Sequence, residues 1–186
     1  MRYLLTLLLL ITTGAATPTY RYRLDEARST VSAKVAFLGF ASKSARFPKL
    51  SGRITLQPDR LDAIDLDVDL DARALTAGDK VTLDRLKGKD FFDVANHPVV
   101  SFSGRRMTMT GPVTATVEGN VTARGITRPV VLQVAFAQPP ATANGRDPVQ
   151  LSARTSINRS DFGMKAYGLV VGKKVTIVIT ARMEPD

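Results

Sequence analysis

The stretch Val113-Thr114-Ala115-Thr116-Val117-Glu118-Gly119-Asn120-Val121-Thr122 decides the fold: every odd position is apolar or small, and every even position is polar. Successive side chains of an extended strand point to opposite faces, so this segment presents one apolar face and one solvated face. The pattern recurs on both sides of it. Val31, Ala33, Val35 and Phe37 alternate with Ser32, Lys34 and Ala36, and Ile64, Leu66, Val68 and Leu70 alternate with Asp65, Asp67, Asp69 and Asp71. Near the end, Val175, Ile177, Ile179 and Ala181 alternate with Thr176, Val178, Thr180 and Arg182. Further strand candidates lie at 50–57, 98–109, 129–137 and 149–158.

Turn-forming residues separate these segments, among them Gln57-Pro58-Asp59, Gly111-Pro112, 125–129 and the Pro139-Pro140 to Pro148 loop. Eight or so strands at this spacing make an all-β chain, folded as an antiparallel barrel or sandwich. The one interruption reads as a short helix over 76–89, where Val81, Leu83 and Leu86 sit among charged residues, with Thr76 or Gly78 near its start and Gly88 near its end. No linker or internal repeat divides the chain, which is expected to form one domain after residue 16.

Composition removes several chemistries. The chain has 186 residues, 26 Lys plus Arg against 17 Asp plus Glu, one His and no Cys. Without Cys there is no disulfide, thiolate metal site or cysteine nucleophile, and His97 alone cannot build a multi-histidine metal centre. The net charge of +9 is dispersed, with no basic run longer than Arg105-Arg106 or Lys173-Lys174. A nucleic-acid surface would be denser, so no nucleic-acid partner is expected.

The N-terminus reads as a targeting segment. Arg2 precedes an apolar run from Leu4 to Ile11 broken only by Thr6, and Gly14-Ala15-Ala16 supplies the small residues of a cleavage site. The run is far shorter than the ~20 residues that cross a bilayer. We therefore expect a signal peptide at 1–16 and a secreted chain of residues 17–186 with charge +8, since only Arg2 is lost. A cysteine-free secreted protein fits the bacterial periplasm.

Two motifs mislead. The acidic ladder Asp65, Asp67, Asp69, Asp71 suggests a calcium site, but residues two apart on a strand are separated by roughly 6.6 Å, too far to share one ion. A solvated outer face fits better. His97 lies in a loop entering a strand with no nucleophile or carboxylate assigned to it, as expected of a turn histidine bonded to its own loop. No catalytic constellation and no metal site are expected.

The apolar phase is built from small side chains. Aromatics make up 6% of the chain and Trp is absent. An eight-stranded barrel is just wide enough to be filled by side chains or to hold one small ligand, so two outcomes stay open: a hollow barrel, or one flattened until its linings meet.

Three segments carry a resemblance. Leu86 to Pro98 (LKGKDFFDVANHP) followed by Phe102, Glu118 to Val130 (EGNVTARGITRPV), and Ile157 to Met164 (INRSDFGM) are similar, in order and spacing, to the YceI-like family of polyisoprenoid-binding proteins. The resemblance runs from about Tyr20 to Glu184. It implies an extended, lipocalin-like antiparallel barrel of about eight strands that holds a long isoprenoid chain, in a small secreted or periplasmic protein without enzymatic activity. It also implies no cofactor beyond a bound isoprenoid lipid.

The lining expected from the apolar phase and this resemblance is Val31, Ala33, Val35 and Phe37; Leu66 and Val68; Phe102; Val117 and Val121; Val134 and Phe136; Leu151 and Ala153; and Ile177 and Ile179. Phe162 is expected to close one end, beside Asn158, Arg159 and Asp161, which read as a turn network or a polar mouth. Many family members carry His where this chain has Phe37, within Val35-Ala36-Phe37-Leu38-Gly39-Phe40, so any head-group contact from that position is missing here.

The expected function is a non-enzymatic periplasmic carrier or store whose partner is a long-chain isoprenoid or other lipid, without stable membrane insertion. A homodimer is left open. Two other readings remain: a secreted stress-associated interaction module whose cavity is incidental, and an integral outer-membrane barrel. The second would need aromatic girdles that this aromatic-poor sequence lacks.

Overall fold

The computed structural model describes residues 17–186, and the expected signal segment 1–16 lies outside the described residues. Eleven strands are present: β1 (Tyr20–Leu24), β2 (Thr30–Phe37), β3 (Ala41–Phe47), β4 (Leu50–Leu56), β5 (Ala63–Asp71), β6 (Thr76–Ala77), β7 (Val99–Met109), β8 (Thr114–Ala123), β9 (Ile126–Phe136), β10 (Val149–Asn158) and β11 (Val171–Pro185), with one helix, α1 (Lys80–Lys87). Six of the strands combine in pairs. β1 pairs with β4 and β2 with β3, while β4 pairs with β5 and β3 with β6. Thus β1–β2, β3–β4 and β5–β6 are three long strands, each broken once, and the barrel has eight wall positions in simple meander order. It closes where β11 pairs with both β1 and β2. All pairings are antiparallel, as the alternating pattern and short turns require.

The breaks come from specific residues. Asp25 turns the chain by accepting hydrogen bonds from the backbone N–H groups of Ala27 and Arg28 at 3.0 and 3.2 Å. Pro48 lies in the second break, and at the third Asp71 accepts from the Arg73 N–H at 2.9 Å. The breaks lie side by side: the Asp71 N–H donates to the Lys49 carbonyl at 3.0 Å, and the Lys49 ammonium reaches Glu26 at 2.8 Å. Three of the eight wall positions are therefore broken at a single level.

The helix is shorter than expected from sequence. It begins at Lys80 because the Asp79 carboxylate accepts from the Thr82 N–H at 2.7 Å, leaving Thr76–Ala77 free to pair with β3. Gly88 caps its C-terminus, as expected. The Asp79 carboxyl is held well below the usual carboxylate range by the Lys43 ammonium, then by the Thr82 backbone and hydroxyl donors. The same Lys43 contact, at 2.7 Å, ties α1 to β3.

A bulge in β7 between Gly104 and Arg106 resets the inward phase from even to odd numbers, so Phe102 and Met107 both face inward. It also turns Arg105 outward, where its guanidinium meets Asp65 at 3.1 Å and Asp67 at 2.8 Å. The acidic ladder is thus a solvated outer face. Among the described residues, no group of three or more His, Asp or Glu side chains could hold a metal ion.

The upper end of the barrel carries the 38–40 turn, α1, the Arg124-Gly125 turn and the 159–170 loop. The lower end carries loops 57–62, 110–113 and 137–148. Two apolar clusters line the interior, one around Phe47, Leu75, Phe91 and Phe162, the other around Leu56, Met107, Leu132 and Ala153.

Candidate functional site

The interior is hollow rather than flattened. A cavity of about 210 Å³ runs from Met183, Leu151 and Phe136 near the lower end to Phe92, Arg159 and Met164 near the upper. Its lining along β11 extends from Val175 to Met183, eight residue steps, or about 20 Å once strand tilt is allowed for. A second chamber of about 140 Å³ sits above it, under α1 and the 159–170 loop. Ala33, Phe92, Arg159, Met164 and Val175 line both.

All sixteen residues expected at the lining lie on these walls. Fourteen line the main cavity: Val31, Ala33, Leu66, Val68, Phe102, Val117, Val121, Val134, Phe136, Leu151, Ala153, Phe162, Ile177 and Ile179. Val35 and Phe37 line the upper chamber. Phe37 thus forms part of the upper chamber's wall, with the Lys43 ammonium 5.4 Å from its ring centre.

The waist is set by Phe102. Its ring lies against the cross-strand pair Gly104 and Gly119, where added side chains would collide with it, and it packs against both apolar clusters.

The polar residues of the 158–162 turn divide. The Asn158 side chain accepts from the Ser160 N–H at 3.0 Å, an ordinary turn contact, and Asp161 faces outward. Arg159 does more than complete a turn. It is 4% exposed, and its guanidinium donates to the carbonyls of Gly172, Met164 and Val171 at 2.9, 2.5 and 2.9 Å. Its charge is solvated by these three carbonyl dipoles and the Phe91 ring, 5.8 Å away, with no carboxylate in its hydrogen-bond set. Burial pushes its pKa down, but a guanidinium keeps its charge. This buried cation touches both chambers.

Sequence reasoning did not place several lining residues. Met107 lies beyond the bulge, out of phase with Phe102. Leu24 belongs to β1, whose Tyr20-Arg21-Tyr22-Arg23-Leu24 alternation was readable. Val175, Ala181 and Met183 continue the phase of Ile177 and Ile179. Arg85 and Tyr167 reach the upper chamber from α1 and a loop, where no strand periodicity applies.

The wall has one seam. β9 and β10 pair only from Phe136/Leu151 to Gln133/Arg154, and above that level they diverge. The Phe136 N–H donates toward β8 and the Ala137 N–H toward β10, so by alternation Pro129 turns its missing donor into the seam, where none is required. Outside lies a cleft of about 780 Å³ of mixed character, lined by Glu118, Arg128, Gln133 and Arg154 together with Pro129, Val130 and Val131, and bordered on the interior side by Thr155, Ile157 and Phe162.

His97 shows no catalytic arrangement. Its backbone N–H donates to the Asp93 carbonyl at 2.8 Å and its ring packs on the Gly125 turn.

Comparison with known proteins agrees with this geometry. A YceI-like domain model matches residues 22–183. A UPF0312 protein of Pseudomonas putida strain GB-1 is 28% identical over 154 residues, covering 79% of this chain and 78% of the relative. Among solved structures, Burkholderia cenocepacia BcnA superposes with a TM-score of 0.74 at 24% identity, covering 86% of this chain and 98% of that one. A polyisoprenoid-binding domain from Saccharophagus degradans gives 0.69 at 15% identity, over 89% and 98%. The Campylobacter jejuni YceI protein gives 0.67 at 18%, over 76% and 85%. With its eight-position barrel, upper helix and nearly full-length match, this chain belongs to the YceI-like family.

Proposed function

We propose that the protein holds one long apolar lipid of isoprenoid type inside the barrel, as a periplasmic carrier or store, with no catalytic step. The observation that carries this reading is the cavity: about 210 Å³ inside the barrel, lined almost wholly by apolar side chains of the inward strand phase, with Phe92, Arg159, Phe162 and Met164 at its upper end. A prenyl chain has almost no hydrogen-bonding groups, so its affinity comes from removal from water, at about 0.8 kcal/mol per buried CH₂, less the cost of ordering it. The name of the Saccharophagus degradans relative supports this ligand class.

The polar end of the ligand belongs in the upper chamber, where Arg159, Arg85 and Lys43 stand among Phe37, Phe91 and Tyr167. The charged outward phase, with Lys34, Arg53, Asp65, Asp67, Glu118 and Arg154, supports a barrel that is not embedded in lipid. The expected signal segment supports the periplasm.

The test offers delipidated protein a long-chain polyprenol and a two-unit prenol. Retention of about one long-chain molecule per barrel through gel filtration, with the short one lost, supports the reading. Retention of neither contradicts it.

A further inference from the structure

We infer that the upper end of the barrel is a docking surface for an anionic lipid bilayer. Large apolar side chains are exposed there out of proportion to the rest of the molecule. Of the eight that are well exposed among the described residues, Leu38, Phe40, Val81, Tyr167 and Leu169 lie at this end, and none lies on the lower loops. Phe40 is 88% exposed.

These residues form one rim. The Leu38 N–H donates to the Val170 carbonyl at 2.8 Å, joining the 38–40 turn to the 163–170 loop. Tyr167 stacks on Phe91, and the Arg85 guanidinium of α1 lies 4.6 Å from its ring centre, joining that loop to the helix that carries Val81. Phe37, Thr82, Arg85, Tyr167 and Val170, which neighbour or belong to the rim, line the upper chamber. The apolar rim therefore borders the upper chamber.

The backbone holds these side chains outward at a cost. Leu38 and Tyr167 adopt left-handed conformations, with φ of 53° and 56°, that bulky side chains rarely take. In the Leu38-Gly39 turn an Asn would take the first position more readily and display nothing apolar. Strain of this kind at exposed apolar residues points to use of the surface.

Charge selects the occupant. Neither 27–58 nor 162–183 contains an Asp or Glu, and around the rim these segments place Lys34, Lys43, Arg46, Lys165, Lys173 and Lys174. Of the acids at this end, Asp79 is paired with Lys43, Asp84 with Lys80 and Asp93 accepts from the Asn96 side chain, while Asp90 and the exposed Asp161 are outnumbered by the surrounding lysines. Apolar side chains that enter the interface, ringed by lysines that meet anionic headgroups, are the features of reversible surface binding. A second copy of this chain would set lysine rim against lysine rim. Docking here would bring the upper chamber to the surface from which a lipid is taken or to which it is returned. That purpose rests on the proposed function, whereas the docking itself does not.

The full-length mature protein is incubated with phosphatidylcholine vesicles, with and without 30% phosphatidylglycerol, and sedimented at low and high salt. We expect association with the anionic vesicles, little with the neutral ones, and release at high salt. Phe40→Ser with Leu169→Ser, and separately Lys173→Gln with Lys174→Gln, should each lower partitioning at least tenfold while leaving the melting temperature unchanged. No association with anionic vesicles, or equal association by both variants, overturns the proposal. Concentration-dependent dimerisation abolished by Phe40→Ser with Leu169→Ser, without vesicle binding, overturns it in favour of a self-association surface. Lipid extracted from the same preparations separates the two readings: lipid-loaded protein that ignores vesicles refutes docking alone, and vesicle-binding protein that neither carries nor accepts lipid refutes the proposed function alone.

Discussion

The ring of Phe102 occupies the space that a side chain on Gly119 would need: a Cβ built there would lie 2.6 Å from Phe102 Cζ. Gly119 pairs across the ladder with Gly104, so two adjacent strands give up their inward side chains to seat one aromatic ring at the waist of the cavity. Barrel width at this level is therefore set by a ring lying along the wall.

Gly119→Ala forces Phe102 toward the cavity and presses on the Ser103 carbonyl, so the variant should lose about 1–3 kcal/mol of stability, the usual cost of overpacking. The part due to the ring should be recovered in Gly119→Ala with Phe102→Ala, giving a favourable coupling in a double-mutant cycle read by urea unfolding. Strict additivity would show that the two residues do not share this space.

Arg159 anchors the 159–170 loop to β11 through the Gly172 and Val171 carbonyls and closes the loop on itself through that of Met164. Arg159→Met strands buried acceptors that cost about 1–3 kcal/mol each when unpaired, and should destabilise the protein by about 3 kcal/mol. Arg159→Lys, with one compact ammonium, should restore only part of this. A loss below about 1 kcal/mol in chemical denaturation would contradict the anchoring role.

Acid should loosen α1 before the barrel wall. The Asp79 carboxyl has its folded pKa depressed, so the stability it contributes is fully present above the ordinary carboxyl pKa of about 3.9 and is lost as pH falls through the folded value. Hydrogen exchange at the Thr82 and Leu83 amides should therefore show protection that is flat between pH 7 and 5 after correction for intrinsic rates, and that falls below about pH 4. Asp79→Ala should lower protection at all these pH values and remove the acid step. An acid step unchanged in the variant would assign it elsewhere.

Filling the interior should separate fold from ligand retention. Ala33→Phe with Ala153→Phe adds two rings inside a cavity of about 210 Å³. Circular dichroism should keep its strand signature at a stability cost of about 1–3 kcal/mol per site, while polyprenol retention is lost. Retention at the wild-type level would place the ligand outside the barrel.

The fold was legible because the wall is regular. Each of the eight barrel positions contains one segment whose alternation is plain in the sequence, from 31–37 to 175–182. What escaped was one half of each broken strand: β1 is five residues long, β3, Ala-Ser-Lys-Ser-Ala-Arg-Phe, has no large apolar residue before Phe47, and β6 is two residues long. The lining was legible for the same reason, and failed where a bulge changes the phase at Met107. Arg159 shows the other limit. Nothing in the local sequence says that a charged residue beside Ser160-Asp161 will be buried, because its acceptors come from Gly172 and Val171 on the next strand and from Met164 in the loop.

The most direct test is mass spectrometry of the organic extract from protein purified without detergent from cells of its own host. Lipid binding predicts a single class of long apolar lipid at about one molecule per chain, absent from the Ala33→Phe, Ala153→Phe variant prepared in parallel. Repeated recovery of no lipid from wild-type protein, or the same lipid at the same ratio from the filled variant, would contradict it.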